Sequence, residues 1–297
     1  MVKRYLAATL VLPGLVSCID PSPTPPRETE PKVVFVSNRD GNDEIYSMNS
    51  DGTAITRLTT NAKRDWKPQW SPSGEQIVFV SDRSGNNDIW VMNADGSGLR
   101  NLTNDPSNDI DPAWSSDGSR IAFSSNRVGQ AELFVMTRDG TNVTRLTDSF
   151  ATDAWPTYSP DARFIAFQAD RNSVNEDIYI LFNTTNTVTR ATSQGGADIS
   201  PVWAPDGTKL AWATIRDGNF EIYVGDFDPV NATIVNPRNL TNNPASDGRP
   251  AWSFDGRTIC WMSNRGGSND IWVMNADGSS PRRLTTEAAV DDYCSIK

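Results

Sequence analysis

An aromatic residue two positions after a proline recurs along most of this 297-residue chain at a nearly constant spacing. These aromatic residues, which stand 44, 44, 45 and 49 positions apart, are Trp70, Trp114, Tyr158, Trp203 and Trp252. A turn and then an apolar stretch follow each of them, as Ser71–Gly74 and Ile77–Phe79 do in the first unit. A period of about 40–45 residues with short strands separated by turns is typical of a β-propeller blade.

The two ends of the chain fit the repeat as parts of one further unit. Val33–Phe35 matches the second strand of a unit, with no first strand before it. Asp291–Ile296 matches an isolated first strand, because its last residue falls 44 residues after Trp252. Joining the two parts completes a blade and leaves no open radial edge. We therefore expect an all-β, six-bladed β-propeller over residues 32–297, with the opening blade shared by both termini.

The beginning of the chain has the pattern of an export signal. Lys3 and Arg4 precede an apolar run that is too short to cross a bilayer as a helix. The run ends in Leu15–Cys18, which resembles a bacterial lipobox. We expect residues 1–17 to be a lipoprotein signal peptide and Cys18 to become the lipidated first residue. The alternative is an ordinary signal with an incidental cysteine.

A proline-rich segment follows, and it predicts a tether. Five of the thirteen residues 19–31 are proline, so this stretch cannot build a core and favours an extended conformation. Residues 18–31 would then hold the propeller off a membrane, and the lipid would be the chain's sole membrane contact. Ile19, and not an aspartate, follows Cys18, which by resemblance to sorted lipoproteins indicates the outer membrane, facing the periplasm or the cell surface.

Charge and composition remove several classes of function. The formal net charge is −10, whereas nucleic-acid binding requires clustered Lys and Arg, so we expect no nucleic-acid partner. The sequence contains no histidine, which removes His-activated nucleophiles and the imidazole ligands of most catalytic zinc sites. Oxygen ligands from Asp and Glu remain, and these suit calcium. We expect no required cofactor, with calcium as the one metal that the pattern admits.

The repeated string resembles that of a known family. The repeated pattern Pro-x-Trp-Ser-Pro-Asp-Gly, Ile-Ala-Phe, Asn-Asp-Ile-Trp-Val-Met-Asn-x-Asp-Gly and Leu-Thr resembles the TolB-type, WD-repeat-like propeller repeat. Asn87–Gly96 matches its part of the pattern in full, and Pro112–Gly118 departs from its part only at Ser116. The resemblance covers residues 33–297. It implies a six-bladed propeller and, in TolB itself, a periplasmic protein that contacts other envelope proteins. TolB also has an amino-terminal α/β domain, which this sequence replaces with the lipobox.

An aspartate stands three residues before the proline position of every unit. The six residues are Asp65, Asp109, Asp153, Asp198, Asp247 and Asp291. We expect them in the loops that enter the innermost strands, around the central channel on one face, here called the channel-mouth face. Each would cap backbone N–H groups or pair with an arginine of its own blade. In the alternative, some of them bind calcium or a cationic peptide.

Two further features of the repeat carry predictions. Trp66 and Trp155 stand outside the regular aromatic positions and are candidates for ligand contact. The arginine after each second strand is expected to pair with the acidic residue five positions later, as Arg83 with Asp88. The equivalent pairs are Arg127 with Glu132 and Arg265 with Asp270.

These features together predict a non-catalytic envelope scaffold. We expect a monomer that binds an envelope protein or peptide through its channel-mouth face and has no catalytic residue. A glycan-binding or carbohydrate-active propeller is the alternative.

Cys260 and Cys294 would pair in an oxidising compartment if their Cα atoms were close enough, which sequence does not decide. Residues 228–237 insert into the fifth unit, as a surface loop or as a partner-specific feature.

Overall fold

The computed structural model describes residues 32–171 and 175–297. The predicted signal peptide (1–17), Cys18 and the tether (18–31) lie outside the described residues. Within those residues the regular structure is made of strands, and no helix is long and apolar enough to cross a membrane.

Six four-stranded antiparallel sheets form the blades of a propeller, which confirms the predicted fold. The first blade contains β1 (Lys32–Ser37), β2 (Glu44–Asn49), β3 (Thr56–Arg57) and β24 (Asp291–Ile296). The second contains β4 (Asp65–Trp70), β5 (Gln76–Ser81), β6 (Asp88–Asn93) and β7 (Arg100–Asn101). The third contains β8 (Asp109–Trp114), β9 (Arg120–Val128), β10 (Gln130–Thr137) and β11 (Thr144–Arg145).

The remaining blades repeat the same order from the innermost to the outermost strand. The fourth contains β12 (Asp153–Tyr158), β13 (Phe164–Ala169), β14 (Asp177–Phe182) and β15 (Val188–Arg190). The fifth contains β16 (Asp198–Trp203), β17 (Lys209–Thr214), β18 (Glu221–Asp228) and β19 (Thr233–Asn239). The sixth contains β20 (Asp247–Trp252), β21 (Thr258–Ser263), β22 (Asp270–Asn275) and β23 (Arg282–Arg283).

The first blade closes the ring as the sequence predicted. Its innermost strand, β24, comes from the end of the chain and pairs antiparallel with β1, with Val33 opposite Ile296 and Ser37 opposite Asp291. Lys32 and Lys297 each donate a backbone hydrogen bond to the carbonyl of the other, which extends this pairing. Because β24 pairs with β1, the two terminal strands complete a four-stranded blade and β1 is not left as an unpaired edge.

The core lies between blades. An aromatic residue from the second strand of each blade is almost fully buried: Phe35, Phe79, Phe123, Phe167, Trp212 and Trp261. The hydrophobic clusters join neighbouring blades; in one of them Val33 and Phe35 of the first blade contact Cys260 and Ile271 of the sixth. Burial of such side chains contributes about 1.5–3 kcal/mol each. The repeated aromatic positions are therefore packing positions, as predicted.

The insertion in the fifth blade is mostly part of the fold. It lengthens the hairpin of β18 and β19, and Phe227 packs edge-on against Trp203 with ring centroids 4.6 Å apart. Ala232 is fully buried, and the Ile234 amide donates to the Ala191 carbonyl of the fourth blade at 3.1 Å. The tip at residues 229–231 and the following residues 235–237 are exposed. The insertion therefore fastens the fifth blade to the fourth.

Candidate functional site

Every innermost strand contains a β-bulge at the same place. The ladder with the second strand shifts register across the third and fourth residues of the strand, as between Trp66 and Gln69 in β4. The third residue has a left-handed backbone with φ between 51° and 57° in all six blades. These six residues, here called the axial ring, are Lys67, Asp111, Trp155, Ser200, Arg249 and Tyr293.

The residue that follows explains the bulge. It is proline in five of the six strands, and proline has no N–H to donate to a ladder. The bulge places this residue where the ladder needs no donor from it. The six axial residues line one cavity of about 120 Å³ at the centre of the propeller, together with those prolines. The backbone of the axial ring is thus alike in every blade, whereas its side chains are all different.

Lys67 is the most enclosed cation of the axial ring. Its side chain is 9% exposed and pairs with Asp111, whose side chain is 2% exposed. The Lys67 Nζ also lies 4.1 Å from the ring centroid of Trp155 and 4.7 Å from that of Trp66. Burial lowers the pKa of Lys67, and the Asp111 carboxylate opposes that shift. A cation held among aromatic faces and one carboxylate makes this side of the cavity amphipathic.

Tyr293 belongs to the same aromatic group, since its ring centroid lies 5.7 Å from the Lys67 Nζ. Its ring stacks on Trp155 with centroids 5.9 Å apart and meets Trp66 edge-on at 5.7 Å. The Arg249 guanidinium lies 3.9 Å above the Tyr293 ring and also pairs with Asp292. Burial raises the pKa of Tyr293 and lowers that of Arg249. The cavity is therefore lined by two aromatic rings, two cations and the Asp111 carboxylate, and Trp66 and Asp292 contact this lining.

Side chains of the first and second strands that reach the innermost strand of the next blade hold the ring in position. Gln69 accepts a hydrogen bond from the Trp114 amide at 2.9 Å, and Gln168 accepts one from the Ser200 amide at 2.9 Å. Ser295 of the first blade accepts one from the Trp70 amide of the second blade at 3.2 Å. A site supported in this way keeps its geometry without a ligand.

The six predicted aspartates lie elsewhere, each as the first residue of an innermost strand and fully buried. Each pairs with an arginine of its own blade, as the sequence analysis proposed first. The pairs are Arg39–Asp291, Arg83–Asp65, Arg127–Asp109, Arg171–Asp153, Arg216–Asp198 and Arg265–Asp247. Burial raises the pKa of Asp65, Asp109 and Asp153 against the influence of these arginines. A ligand role for the aspartates stays a prediction.

The predicted pairing of the same arginines with the acidic residue of the third strand is wrong. Glu132 instead pairs with Arg145 at 2.9 Å, and Asp270 with Arg283 at 2.8 Å. Asp88 accepts hydrogen bonds from Ser84, Asn101 and Thr103. The third strand thus binds the fourth through these residues, and the arginines are left for the innermost strand.

The arrangement of carboxylates does not favour calcium. The six aspartates are separated by the blades that hold them, and each carboxylate already faces a guanidinium. In residues 32–171 and 175–297 no group of three or more acidic or cysteine side chains could hold a metal ion. A cluster of oxygen ligands is what calcium needs.

Trp66 and Trp155 lie in strands β4 and β12, not in loops as expected. Trp155 is a member of the axial ring, and Trp66, beside Lys67, packs partly against the core between the second and third blades. Sequence reasoning missed the five other axial residues, Lys67, Asp111, Ser200, Arg249 and Tyr293. Their signal was present, since the position two residues after each repeated aspartate is where the repeat differs in every unit.

Comparison with known proteins agrees with the fold and its repeat. A family model described as TolB beta propeller domain matches four overlapping segments, residues 17–109, 64–174, 100–199 and 173–296. The chain belongs to the TolB beta propeller domain family. Its axial ring is therefore a feature of a TolB-type propeller.

Individual relatives are more distant. A stretch of 46 residues, 16% of the chain, is 44% identical to the Tol-Pal system protein TolB of Geobacter sulfurreducens and spans 11% of that protein. The crystal structure of TolB from Acinetobacter baumannii superposes with a TM-score of 0.77 at 20% identity, over 89% of this chain and 66% of that one. Oligogalacturonate lyase from Vibrio parahaemolyticus superposes with a TM-score of 0.60 at 15% identity, over 86% and 75%. At these identities the structural likeness concerns the fold.

Proposed function

We propose that this chain is a non-catalytic envelope lipoprotein whose TolB-type propeller binds a protein or peptide partner at its channel mouth. The observation that carries the proposal is the axial ring. Scaffold positions of a repeat protein recur from unit to unit because every unit needs them. The axial position keeps its backbone and changes its side chain in all six blades, at the one place where all blades meet. Such a position serves recognition rather than folding.

The character of the ring suits a polypeptide. Aromatic rings and guanidinium groups dominate the energetics of protein interfaces, and the cavity presents Trp155, Tyr293 and Arg249 together. Phe150, in a connection that leads into an innermost strand, is fully exposed on the same face. An exposed aromatic residue beside a central amphipathic cavity supports a partner that covers the channel-mouth face and inserts a side chain into the cavity.

The binding test uses the affinity-tagged full-length chain in envelope extracts, with captured proteins quantified by mass spectrometry. Trp155→Ala removes an aromatic wall of the cavity. Loss of a central tryptophan costs about 2 kcal/mol or more of binding, which is about thirtyfold in affinity. The matched control is Arg257→Ala, an exposed residue in a turn on the opposite face. We expect one partner that the wild type and the control retain and that Trp155→Ala loses. Equal capture by all three proteins, or none, would contradict the proposal.

Location rests on the leader and on the family. The TolB that this chain resembles is named as a Tol-Pal system protein, which supports an envelope association for this chain. Lipidation at Cys18 is tested by metabolic labelling with a palmitate analogue and by membrane fractionation. We expect label and membrane association in the wild type, and loss of both in Cys18→Ser. An unlabelled wild-type protein in the soluble fraction would refute the anchor.

The glycan alternative is less well supported by the geometry. A sugar platform needs an accessible aromatic face, whereas Trp155 stacks on Tyr293 and both rings are covered by cations. The fold alone does not decide about catalysis, since oligogalacturonate lyase shares it. The absence of histidine from the sequence supports a non-catalytic role. Calorimetry with oligosaccharides tests the alternative: binding that is lost in Trp66→Ala and Trp155→Ala would favour it.

A further inference from the structure

Cys260 and Cys294 are the free cysteines of the described residues, and they lie on the two sides of the seam where the ring closes. Cys260 is on β21 of the sixth blade, and Cys294 is on β24, the innermost strand of the first blade. Both are buried in one hydrophobic cluster with Val33 and Ile296. Burial and the adjacent Cys260 thiol raise the pKa of the Cys294 thiol well above its usual value. The two side chains therefore adjoin in the dry core of the seam.

Both cysteines are departures from the repeat. The position of Cys294 is proline in every other blade: Pro68, Pro112, Pro156, Pro201 and Pro250. The position of Cys260 is valine or alanine in every other blade: Val34, Val78, Ala122, Ala166 and Ala211. At each seam the second strand of one blade packs against the innermost strand of the next. The two departures thus coincide at one seam of the six, and both are to cysteine.

That seam is the one that closes the ring. The other seams join blades that are consecutive in the chain, whereas this one also depends on β24 returning to pair with β1. A covalent link there would tether β24 to β21, so β24 would stay attached to the sixth blade when its ladder with β1 opens locally.

We propose that Cys260 and Cys294 form a disulfide that fastens β24, the strand that closes the ring, to the sixth blade when the chain folds in an oxidising compartment. The two thiols lose their protons and two electrons to the disulfide of an oxidant, which becomes two thiols, and one S–S bond forms. In the cell the oxidant would be a disulfide-bearing oxidoreductase of the envelope; in the test it is oxidised glutathione. The compartment rests on the proposed export, whereas the ability of the pair to oxidise does not.

The test refolds the full chain from denaturant in a buffer of oxidised and reduced glutathione, blocks thiols with iodoacetamide in denaturant, and maps tryptic peptides. We expect peptide 258–265 linked to peptide 284–297, and separation of the two on reduction. Closing a loop of this length should raise the Tm by roughly 10 °C over the reduced protein. Full alkylation of both cysteines after oxidative refolding, with no linked peptide, would overturn the proposal.

Cys260→Ala is the matched control, because alanine is the residue of three other blades at this position. We expect it to fold and to melt at the same temperature with and without reductant, whereas the wild type melts lower with reductant. A wild type whose melting temperature is also the same with and without reductant would contradict the disulfide. Export is measured separately, by fractionating the producing cells, so a cytoplasmic protein that still forms the linked peptide would refute the location and leave the disulfide standing.

Discussion

Each blade contains one buried Arg–Asp pair, here called its spoke pair, between the arginine after the second strand and the first residue of the innermost strand. Removal of one of these arginines tests whether the spoke pairs stabilise the blades. Arg127 is the best-defined example, because its Nη2 donates to both oxygens of Asp109 at 3.0 and 2.9 Å. Arg127→Met removes the charge and the guanidinium, whose Cζ lies 5.4 Å and 4.9 Å from the ring centroids of Phe123 and Phe134. Asp109, which is fully buried, is then left ionised without its cation.

The magnitude follows from burial. Removing one partner of a buried ion pair costs about 3–5 kcal/mol. The Arg127 side chain is 19% exposed, so we take the lower end, about 3 kcal/mol. For a chain of this size that corresponds to a fall in Tm of roughly 6–10 °C. Arg257→Met is the control, since its side chain is 87% exposed and lies 3.9 Å from Asp255. We expect it to change stability by less than about 0.5 kcal/mol.

The pH dependence gives the prediction a second readout. Burial already raises the pKa of Asp109, and Arg127 opposes this, so the variant should raise that pKa further. A carboxyl group whose folded pKa exceeds its unfolded value costs stability above the folded pKa, and protonation relieves the cost as the pH falls through it. The deficit of Arg127→Met should therefore shrink from pH 7 towards the ordinary aspartate value of about 4.

Tryptophan-monitored denaturation and thermal melts at several pH values measure both effects. Adding Asp109→Asn to Arg127→Met removes the orphaned charge and should recover about 1–2 kcal/mol. The reasoning is refuted if Arg127→Met and Arg257→Met are equally stable at pH 7, or if the deficit grows as the pH falls.

Two further substitutions test contacts between blades. Gly140→Ala should destabilise the protein by about 2–3 kcal/mol more than Gly129→Ala, measured by chemical denaturation. Both glycines have positive φ, but only at Gly140 would a Cβ meet a neighbouring blade, 2.5 Å from the Leu102 carbonyl oxygen; equal losses would contradict this. Ser295→Ala should lower stability by about 1 kcal/mol, because the Trp70 amide of the second blade loses its acceptor in β24 of the first blade. An unchanged melting temperature would show that this hydrogen bond contributes nothing.

The spoke pairs show why a partner nearby in sequence is a poor guide in a sheet. Arg83 and Asp88 are five positions apart, and the sequence analysis paired them. In the structure Ser81 lies opposite Asp65 in the ladder, and the Arg83 side chain turns back over Ser81 to reach Asp65. The register between the first two strands of a blade therefore determines which carboxylate pairs with the arginine. The spacing of residues along the sequence does not by itself specify that register.

The candidate site shows a related difference. The sequence analysis selected the aspartates that recur in all six units, and the structure places them in blade-internal ion pairs. The residues that meet at the axis are those that do not recur, such as Lys67 and Ser200. Trp155 was found because an additional tryptophan is conspicuous in a repeat, whereas a serine at the same position is not.

By itself the sequence determined the class of fold, the period and the number of blades. Turns, apolar strands and blade length are local properties, and the half-units at the two ends leave one way to close the ring. The tertiary structure alone decided which side chains meet. Lys67 and Asp111 are 44 residues apart, and Trp66 reaches Tyr293 from the far end of the chain. Such contacts exist only because ring closure brings every innermost strand to one axis, and no local pattern specifies that meeting.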